Sequence, residues 1–193
     1  MADGSLGAIS NNNVYALLKD HQNRLWVGTW QGLNRYDETT KTFEKYLFDA
    51  KGEQLSSNQI TYLFEDSQNR IWIGTFEGVN IFYPEKNIFE SYLHVPNDKS
   101  SLSHNFINCI MEDSQNNIWI GTNNGLNRFN ETERNFHRLT TDDGLKNNVI
   151  YGILEDDSQR LWISTNKGIE TYNRKDKKFE NHFYNDGLQK YTV

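Results

Sequence analysis

Histidine, cysteine and acidic side chains are the groups in this sequence best suited to catalysis or metal binding. The five histidines occupy unrelated contexts and form neither an i, i+4 pair nor a Cys/His ligand spacing. Cys109 is the single cysteine, and the acid pairs at Asp142 and Asp156 lack the glycine-bearing calcium loop pattern. The sequence has no phosphate-cradling glycine loop and no Gly-x-Ser-x-Gly elbow. We therefore predict no catalytic residue, no metal site and no cofactor.

Four short loops indicate a different chemistry, the recognition of a polar ligand with an apolar face. Each loop holds two residues between a Thr and a Gly, and these two vary while their neighbours stay nearly constant. Variable positions on a constant frame are where binding residues are usually placed. An indole and a phenyl ring among amides and charges suit a sugar. The predicted ligand-binding residues are Trp30, Gln31, Phe76, Glu77, Asn123, Asn124, Asn166 and Lys167. Alternatively, Trp30 and Phe76 merely cover the edge of a sheet.

The loops belong to a fourfold internal repeat, which must position them. RLWVGT, RIWIGT, NIWIGT and RLWIST begin at Arg24, Arg70, Asn117 and Arg160, and their tryptophans follow one another at intervals of 46, 47 and 43 residues. An Asp precedes each Trp by six residues. A repeat of this length is typical of propellers and solenoids.

Each unit predicts four short strands, because β-branched and aromatic residues cluster between Gly, Asn and Asp turns. In the first unit we place them at residues 14–19, 25–29, 33–36 and 43–48. The first two strands are apolar at nearly every position, so both sheet faces are expected to be covered. The pattern indicates an all-β propeller of four-stranded antiparallel blades, either partial or small. The blades span approximately 8–54, 55–101, 102–145 and 146–188, and residues 189–193 begin a further strand.

The predicted blades give structural roles to two sets of repeated residues, a Trp and an Asn in each unit. The Trp of the second strand is expected to fill the gap between blades, beside a Gly or Ser that lets the next sheet approach. An Asn precedes the first strand of every unit, and we expect it to hydrogen-bond loop backbone, although a ring of amides around the channel mouth is an alternative. These residues are Asn12, Asn58, Asn105 and Asn148.

Composition narrows the class of partner. An aromatic content of 13% offsets a hydrophobic content of only 36% and indicates a globular chain. The net charge of -6 argues against a nucleic acid partner. The sequence contains no apolar run long enough to span a membrane and no signal peptide.

The segments RIWIGTFEGVNIF and NIWIGTNNGLNRFN, each with its Asp six residues before the Trp, resemble the two-component regulator propeller repeat over roughly residues 8–193. The resemblance implies the periplasmic sensor part of a hybrid two-component system, many of which belong to gut Bacteroidetes, Bacteroides among them, and respond to carbohydrates. Such sensors have longer arrays, followed by an immunoglobulin-like domain, a membrane helix and a histidine kinase, none of which is present in this sequence.

The resemblance thus implies a non-catalytic sensor segment with an oligosaccharide ligand. One alternative is a structural or dimerisation module that transmits a signal without binding ligand. A propeller lyase is a further alternative, but it would need a His and an acid at one channel mouth. Because Thr192 and Val193 match the start of another first strand, the expected partners include a second copy of the chain or the remaining blades of a parent propeller.

Overall fold

The computed structural model describes residues 7–48 and 54–182. These residues form four antiparallel sheets, each a four-stranded meander in chain order. Blade 1 comprises β1 (Val14–Lys19), β2 (Leu25–Thr29), β3 (Gly32–Asp37) and β4 (Thr42–Tyr46), and blade 2 comprises β5 (Ile60–Glu65), β6 (Ile71–Thr75), β7 (Gly78–Tyr83) and β8 (Ile88–Tyr92). Blade 3 comprises β9 (Ile107–Glu112), β10 (Ile118–Thr122), β11 (Gly125–Asn130) and β12 (Asn135–Leu139), and blade 4 comprises β13 (Ile150–Glu155), β14 (Arg160–Thr165), β15 (Gly168–Asn173) and β16 (Lys178–His182). A single 3-10 turn at Thr141–Asp143 precedes blade 4.

The turns between strands follow from residues that accept a left-handed backbone. Asn23, Asn69 and Asn116 have φ near 60° in the turn between the first and second strands, where Asn is tolerated. The hairpin between the second and third strands uses Gly with φ between 99° and 132°, as the Thr-x-x-Gly sequence predicts. All-β architecture built from antiparallel four-stranded blades is thereby confirmed.

The first strand of each blade lies innermost. β1 packs on β5, β5 on β9 and β9 on β13, whereas no comparable packing joins β13 to β1 among the described residues. The four blades therefore form an open arc in this structure, with the inner strands along its concave side.

Neighbouring blades pack through two different faces. The forward face of a blade carries the Trp of its second strand, and the backward face carries the apolar residues that meet the Trp of the preceding blade. Trp26 on the forward face of blade 1 shares a buried cluster with Ile60, Leu63, Ile71 and Ile73 on the backward face of blade 2. A Cβ placed on Gly74 would lie only 2.8 Å from Cγ2 of Ile107 in the next blade, so glycine is required for this approach. Trp26, Trp72 and Trp119 therefore fill the gaps between blades, as predicted, whereas Trp162 faces no described blade.

Two predictions about the strands were wrong. Coverage of both sheet faces fails at the two ends of the arc: Leu17 on the backward face of blade 1 is 67% exposed, and Leu154 on the forward face of blade 4 is 68% exposed. The physical reason is that no described blade packs against either face. β4 ends at Tyr46 rather than at residue 48, because Phe48 turns away and forms a parallel bridge with Leu55. The further strand expected in residues 189–193 lies outside the described residues.

A buried polar network ties the loop before each blade to that blade's hairpin. In blade 1 the Asn34 carboxamide accepts from the backbone N–H of Ser10 at 2.8 Å, and the Ser10 hydroxyl lies 2.8 Å from Thr29 Oγ1. Blades 2 and 3 repeat it with Ser56 and Asn80 and with Ser103 and Asn127. In blade 4 both partners change together, since Lys146 replaces the Ser and Glu170 replaces the Asn, and the Lys146 N–H donates to the carboxylate.

Candidate ligand-binding site

A β-bulge lies near the start of every inner strand, and in blades 1, 3 and 4 the bulged side chain contacts a residue of the loop face. The register shift lies between Val14 and Ala16 in blade 1 and recurs at the same place in the other three blades. Bulges re-aim side chains and occur often beside functional sites. The bulged residues are Tyr15, Thr61, Asn108 and Tyr151.

Aromatic rings line the loop face over blades 1 and 2. Trp30 lies 5.7 Å from Tyr15 and 5.0 Å from Phe76 between ring centroids, and the second contact is edge-to-face. Phe76 lies 4.3 Å from Phe106, which precedes β9. Trp30 remains 36% exposed, so an indole surface is open to solvent within a cluster that fixes its orientation.

Amides continue the same row over blades 3 and 4. Asn108 Nδ2 donates to Asn123 Oδ1 at 3.0 Å and to the Ile150 carbonyl at 2.8 Å, which links blade 3 to blade 4. The Tyr151 hydroxyl donates to Asn166 Oδ1 at 2.8 Å. The row is hereafter called the inner ledge, and it consists of Tyr15, Trp30, Phe76, Phe106, Asn108, Asn123, Tyr151 and Asn166.

The eight predicted site residues divide into two groups of four. The first residue of each loop pair lies on the inner ledge, whereas the second residue in blades 2 and 3 contacts the repeated Asn that precedes the next blade. Asn105 Nδ2 donates to Glu77 at 3.1 Å and Asn148 Nδ2 to Asn124 at 3.2 Å. Gln31 and Lys167, the other members of this second group, are exposed. The structure therefore gives the two halves of each loop different surroundings.

Four residues of the ledge were missed by the sequence analysis, namely Tyr15, Phe106, Asn108 and Tyr151. For three of them, Tyr15, Asn108 and Tyr151, a signal was present, because the position immediately before Ala16 and its equivalents varies in type while the positions flanking it in the strand stay mostly apolar. The bulge that turns these side chains toward the loops has no sequence signature, so their direction was not predictable.

The repeated asparagines bond loop backbone, as predicted. Oδ1 of Asn58 accepts from the Phe48 N–H at 2.8 Å, Oδ1 of Asn105 from His94 at 2.6 Å and Oδ1 of Asn148 from Thr141 at 2.8 Å. Their carbonyls accept from the hairpin Gly of the preceding blade at 2.7 to 2.8 Å. Asn12, the fourth member, is exposed just before β1.

Histidines near the loop face are engaged with backbone. His104 Nδ1 accepts the Phe106 N–H at 2.9 Å, and burial, with His94 nearby, lowers the pKa of His104. Among the described residues, His21 hydrogen-bonds the Glu65 carboxylate, and this contact lies at the turn between the first and second strands rather than on the ledge. Residues 7–48 and 54–182 contain no cluster of three metal-ligating side chains.

A groove of about 650 Å³ lies outside the ledge, along the outer strand β12. Its walls carry charges of both signs, including Lys99, Arg138 and Asp142. The Arg138 guanidinium is already bonded to the carbonyls of Ser101 and Leu102, so it serves the loop before blade 3. We therefore regard the ledge as the better candidate site.

Fold and loop face together define a β-propeller assembled from Trp-centred blades around a concave inner edge. The chain belongs to the two component regulator propeller family, whose family model matches residues 8–31, 54–77, 101–124 and 144–167. Each match runs from the loop before an inner strand to the hairpin that supplies the ledge. No curated protein sequence matches the chain.

Solved structures show the same fold at low identity. The chain is similar to an extracellular domain described as that of a hybrid two component system of B. thetaiotaomicron, with a TM-score of 0.83 and 24% identity over 92% of this chain and 25% of that one. An extracellular domain described as that of a one component system of the same organism gives a TM-score of 0.78 and 24% identity over 92% and 26% of the two chains. Virginiamycin B lyase from Staphylococcus aureus gives a TM-score of 0.65 and 14% identity over 91% of this chain and 57% of that one. The chain thus spans about a quarter of the length of the two B. thetaiotaomicron domains.

In the part of the chain that the structure describes, no helix has the length and apolar character needed to cross a membrane.

Proposed function

We propose that the chain is a non-catalytic, ligand-sensing segment of an extracytoplasmic hybrid two-component sensor, and that its ligand is an oligosaccharide bound along the inner ledge. The observation that carries the proposal is the ledge itself, where exposed rings of blades 1 and 2 continue directly into amides and a phenol of blades 3 and 4.

The chemistry of the ledge matches a sugar chain on two counts. The C–H faces of pyranose rings are apolar and pack on indole and phenyl rings, which Trp30 and Phe76 provide. The hydroxyl groups at the sugar edge need donors and acceptors in known positions, and the amides of Asn108, Asn123 and Asn166 are held by hydrogen bonds to their neighbours. A site held in place before binding loses less entropy on binding.

Membership of the family and the description of two similar structures as extracellular domains support an extracytoplasmic sensor. The engagement of His104 with backbone supports a non-catalytic role, because a hydrolytic or lyase site needs a mobile proton donor or acceptor beside its substrate.

Isothermal titration calorimetry of the chain against a panel of oligosaccharides tests the proposal. We expect at least one oligosaccharide to bind, and we expect Trp30→Ala to weaken its binding by about tenfold or more, because exposed aromatic anchors dominate such surfaces. Ile88→Ala is the matched control: Ile88 is a large exposed apolar residue on the outer strand β8, and its truncation should leave binding unchanged.

A panel in which nothing binds, or an oligosaccharide whose affinity is insensitive to Trp30→Ala and Asn108→Ala while both variants stay folded by circular dichroism, would refute the assignment of the ligand to the ledge.

A further inference from the structure

The three joints between neighbouring blades share a hydrogen-bonded contact at the face opposite the ledge. The residue that follows the Asp six positions before the Trp donates a backbone hydrogen bond and a side-chain hydrogen bond. Both are accepted by the Glu that ends the inner strand of the next blade. His21 bonds Glu65 in this way, Ser67 bonds Glu112 and Ser114 bonds Glu155, with backbone N–H to carboxylate distances of 2.8, 2.7 and 2.6 Å. The joint therefore pairs a donor on the forward blade face with a carboxylate on the backward face.

At the free ends of the arc, a cation occupies the acceptor position and a carboxylate occupies the donor position. Lys19 ends β1 where the other inner strands end in Glu, and Asp157 follows the turn Asp of blade 4 where the other blades have His or Ser. Either residue alone would spoil a joint of the standard type, since Asp157 would repel a Glu and Lys19 offers no acceptor to a backbone N–H. Facing each other across a joint, they would form an ion pair.

A second charged contact points to the same pairing. Arg24 binds Asp20 through Nε and reaches Glu85 of the next blade through Nη1 at 3.3 Å. Arg70 does the same with Asp66 and Glu131, at 2.6 Å to the latter. Arg160 makes the equivalent Nε bond to Asp156, and the blade 1 residue at the position of Glu131 is Glu38, in the turn after β3. The free faces thus supply the cation and the carboxylate that two of the three joints use.

The apolar residues of the free faces also match. Strand register places Val14, Leu17 and Leu25 of blade 1 at the positions of Ile60, Leu63 and Ile71, which bury Trp26 at the first joint. Trp162 and Leu154 hold the equivalent forward positions on blade 4. Side-chain size changes on both sides together, because Ser164 is larger than the Gly of the other blades and Val14 is smaller than the Ile.

We propose that the forward face of blade 4 packs on the backward face of blade 1 of a second copy of this chain, and that two such joints close an eight-bladed ring. Lys19 and Asp157 identify the occupant. Lys19 on blade 1 complements Asp157 on blade 4, whereas neither residue fits a blade that carries the Glu or the Ser of the other joints. The arc is open in the structure, so its own two ends do not meet. Two head-to-tail joints related by a twofold axis close a ring, and eight blades lie within the usual propeller range. The inner ledges of both copies would line one channel.

Charge-reversal variants of the intact 193-residue chain test the proposal. Sedimentation velocity should give a dimer. Lys19→Asp and Asp157→Lys should each raise its dissociation constant by about tenfold or more, because each places like charges at both joints of the ring. An equimolar mixture of the two variants should dimerise as the parent chain does, since every joint of the mixed ring again has opposite charges. Lys86→Asp, on blade 2 and away from either free face, is the matched control and should leave the dimer intact.

A parent chain that stays monomeric at about 0.1 mM would overturn the proposal, because a dissociation constant in the micromolar range gives mostly dimer at that concentration. A mixture that stays dissociated while both variants keep the parent's thermal unfolding would overturn the pairing of Lys19 with Asp157. Open assemblies of more than two copies would overturn the closed ring.

Discussion

The indole N–H of Trp72 donates to Oδ2 of Asp66 at 2.6 Å, and both residues are fully buried or nearly so. Oδ1 of the same carboxylate accepts the backbone N–H groups of Gln68 and Arg70, which fold the turn between β5 and β6. One side chain therefore fixes both the turn and the orientation of the Trp that packs against the next blade. The same bond joins Trp26 to Asp20, Trp119 to Asp113 and Trp162 to Asp156.

We expect Asp66→Ala to destabilise the chain by about 3 kcal/mol, because it leaves a buried indole N–H without an acceptor and the buried Arg70 guanidinium with only one of its two carboxylate partners. Urea unfolding followed by tryptophan fluorescence measures this loss. Asp156→Ala is the matched control on the forward face of blade 4; at concentrations low enough to keep the chain monomeric, water can replace the lost bonds there, and its effect should be clearly smaller. Equal losses at the two positions would show that burial of the blade joint does not decide the energy of this bond.

Stability should fall in acid below about pH 4. The Trp162 indole and the Arg160 backbone lower the pKa of Asp156 to about 2. Burial raises the pKa of Asp20 and of Asp113, but hydrogen bonds, first from Trp26 and Trp119, outweigh it and leave both pKa values below normal. Because the unfolded pKa is about 3.9, these groups stabilise the fold fully above pH 4 and lose that contribution as the pH falls toward 2.

The measurement is the unfolding free energy at intervals between pH 5 and 2.5. Asp156→Asn keeps an acceptor for the indole but does not titrate, so its curve should be flatter than that of the parent chain across this window. A curve parallel to that of the parent would contradict the role of the Asp156 hydrogen bonds.

Glu170→Gln should stabilise the chain at neutral pH by up to about 1 kcal/mol. Burial raises the pKa of Glu170, so the ionised form is disfavoured in the fold. A carboxyl whose pKa is higher in the folded than in the unfolded state lowers stability once the pH exceeds its pKa in the unfolded state. The gain from Gln should therefore be present at pH 7 and disappear below about pH 4. An amide already serves at this position in the other blades, as Asn34, Asn80 and Asn127. Thermal unfolding at pH 7 and 3.5 measures the difference, and a variant less stable at pH 7 would contradict it.

Gly121→Ala should cost about 1 to 3 kcal/mol, because the new Cβ would lie 2.7 Å from Cγ2 of Ile150 across a packed joint. Gly152→Ala is the control on the forward face of blade 4, compared at a concentration at which the chain is monomeric and this face is uncovered. There the new Cβ would meet the Ser164 hydroxyl at 3.1 Å, which can rotate away, so stability should change by no more than about 0.5 kcal/mol. Chemical unfolding of both variants gives the comparison, and an unchanged Gly121→Ala protein would mean that the blades separate more readily than their packing implies.

Much of the local structure was predictable because each element depends on neighbours in sequence. The short strands, the left-handed hairpin glycines and the interblade role of Trp26, Trp72 and Trp119 follow from residue type and spacing. The turn Asp was visible six residues before each Trp, but its bond to the indole was not, because that contact depends on how the turn folds back over the strand. The loop residues Trp30, Phe76, Asn123 and Asn166 were selected by their variability, whereas the strand residues beside them were missed.

Sequence alone determined the number of blades, the strand order within them and the family, since these depend on a repeated local code. Only the tertiary structure decided which way the bulged Tyr15, Asn108 and Tyr151 side chains point, and hence that aromatic and amide residues from separate blades form one ledge. It also decided that the four described blades of a single chain leave the arc open, with Leu17 and Leu154 exposed. The physical reason is that curvature and closure depend on how sheets pack across blade joints, through contacts between residues far apart in the chain.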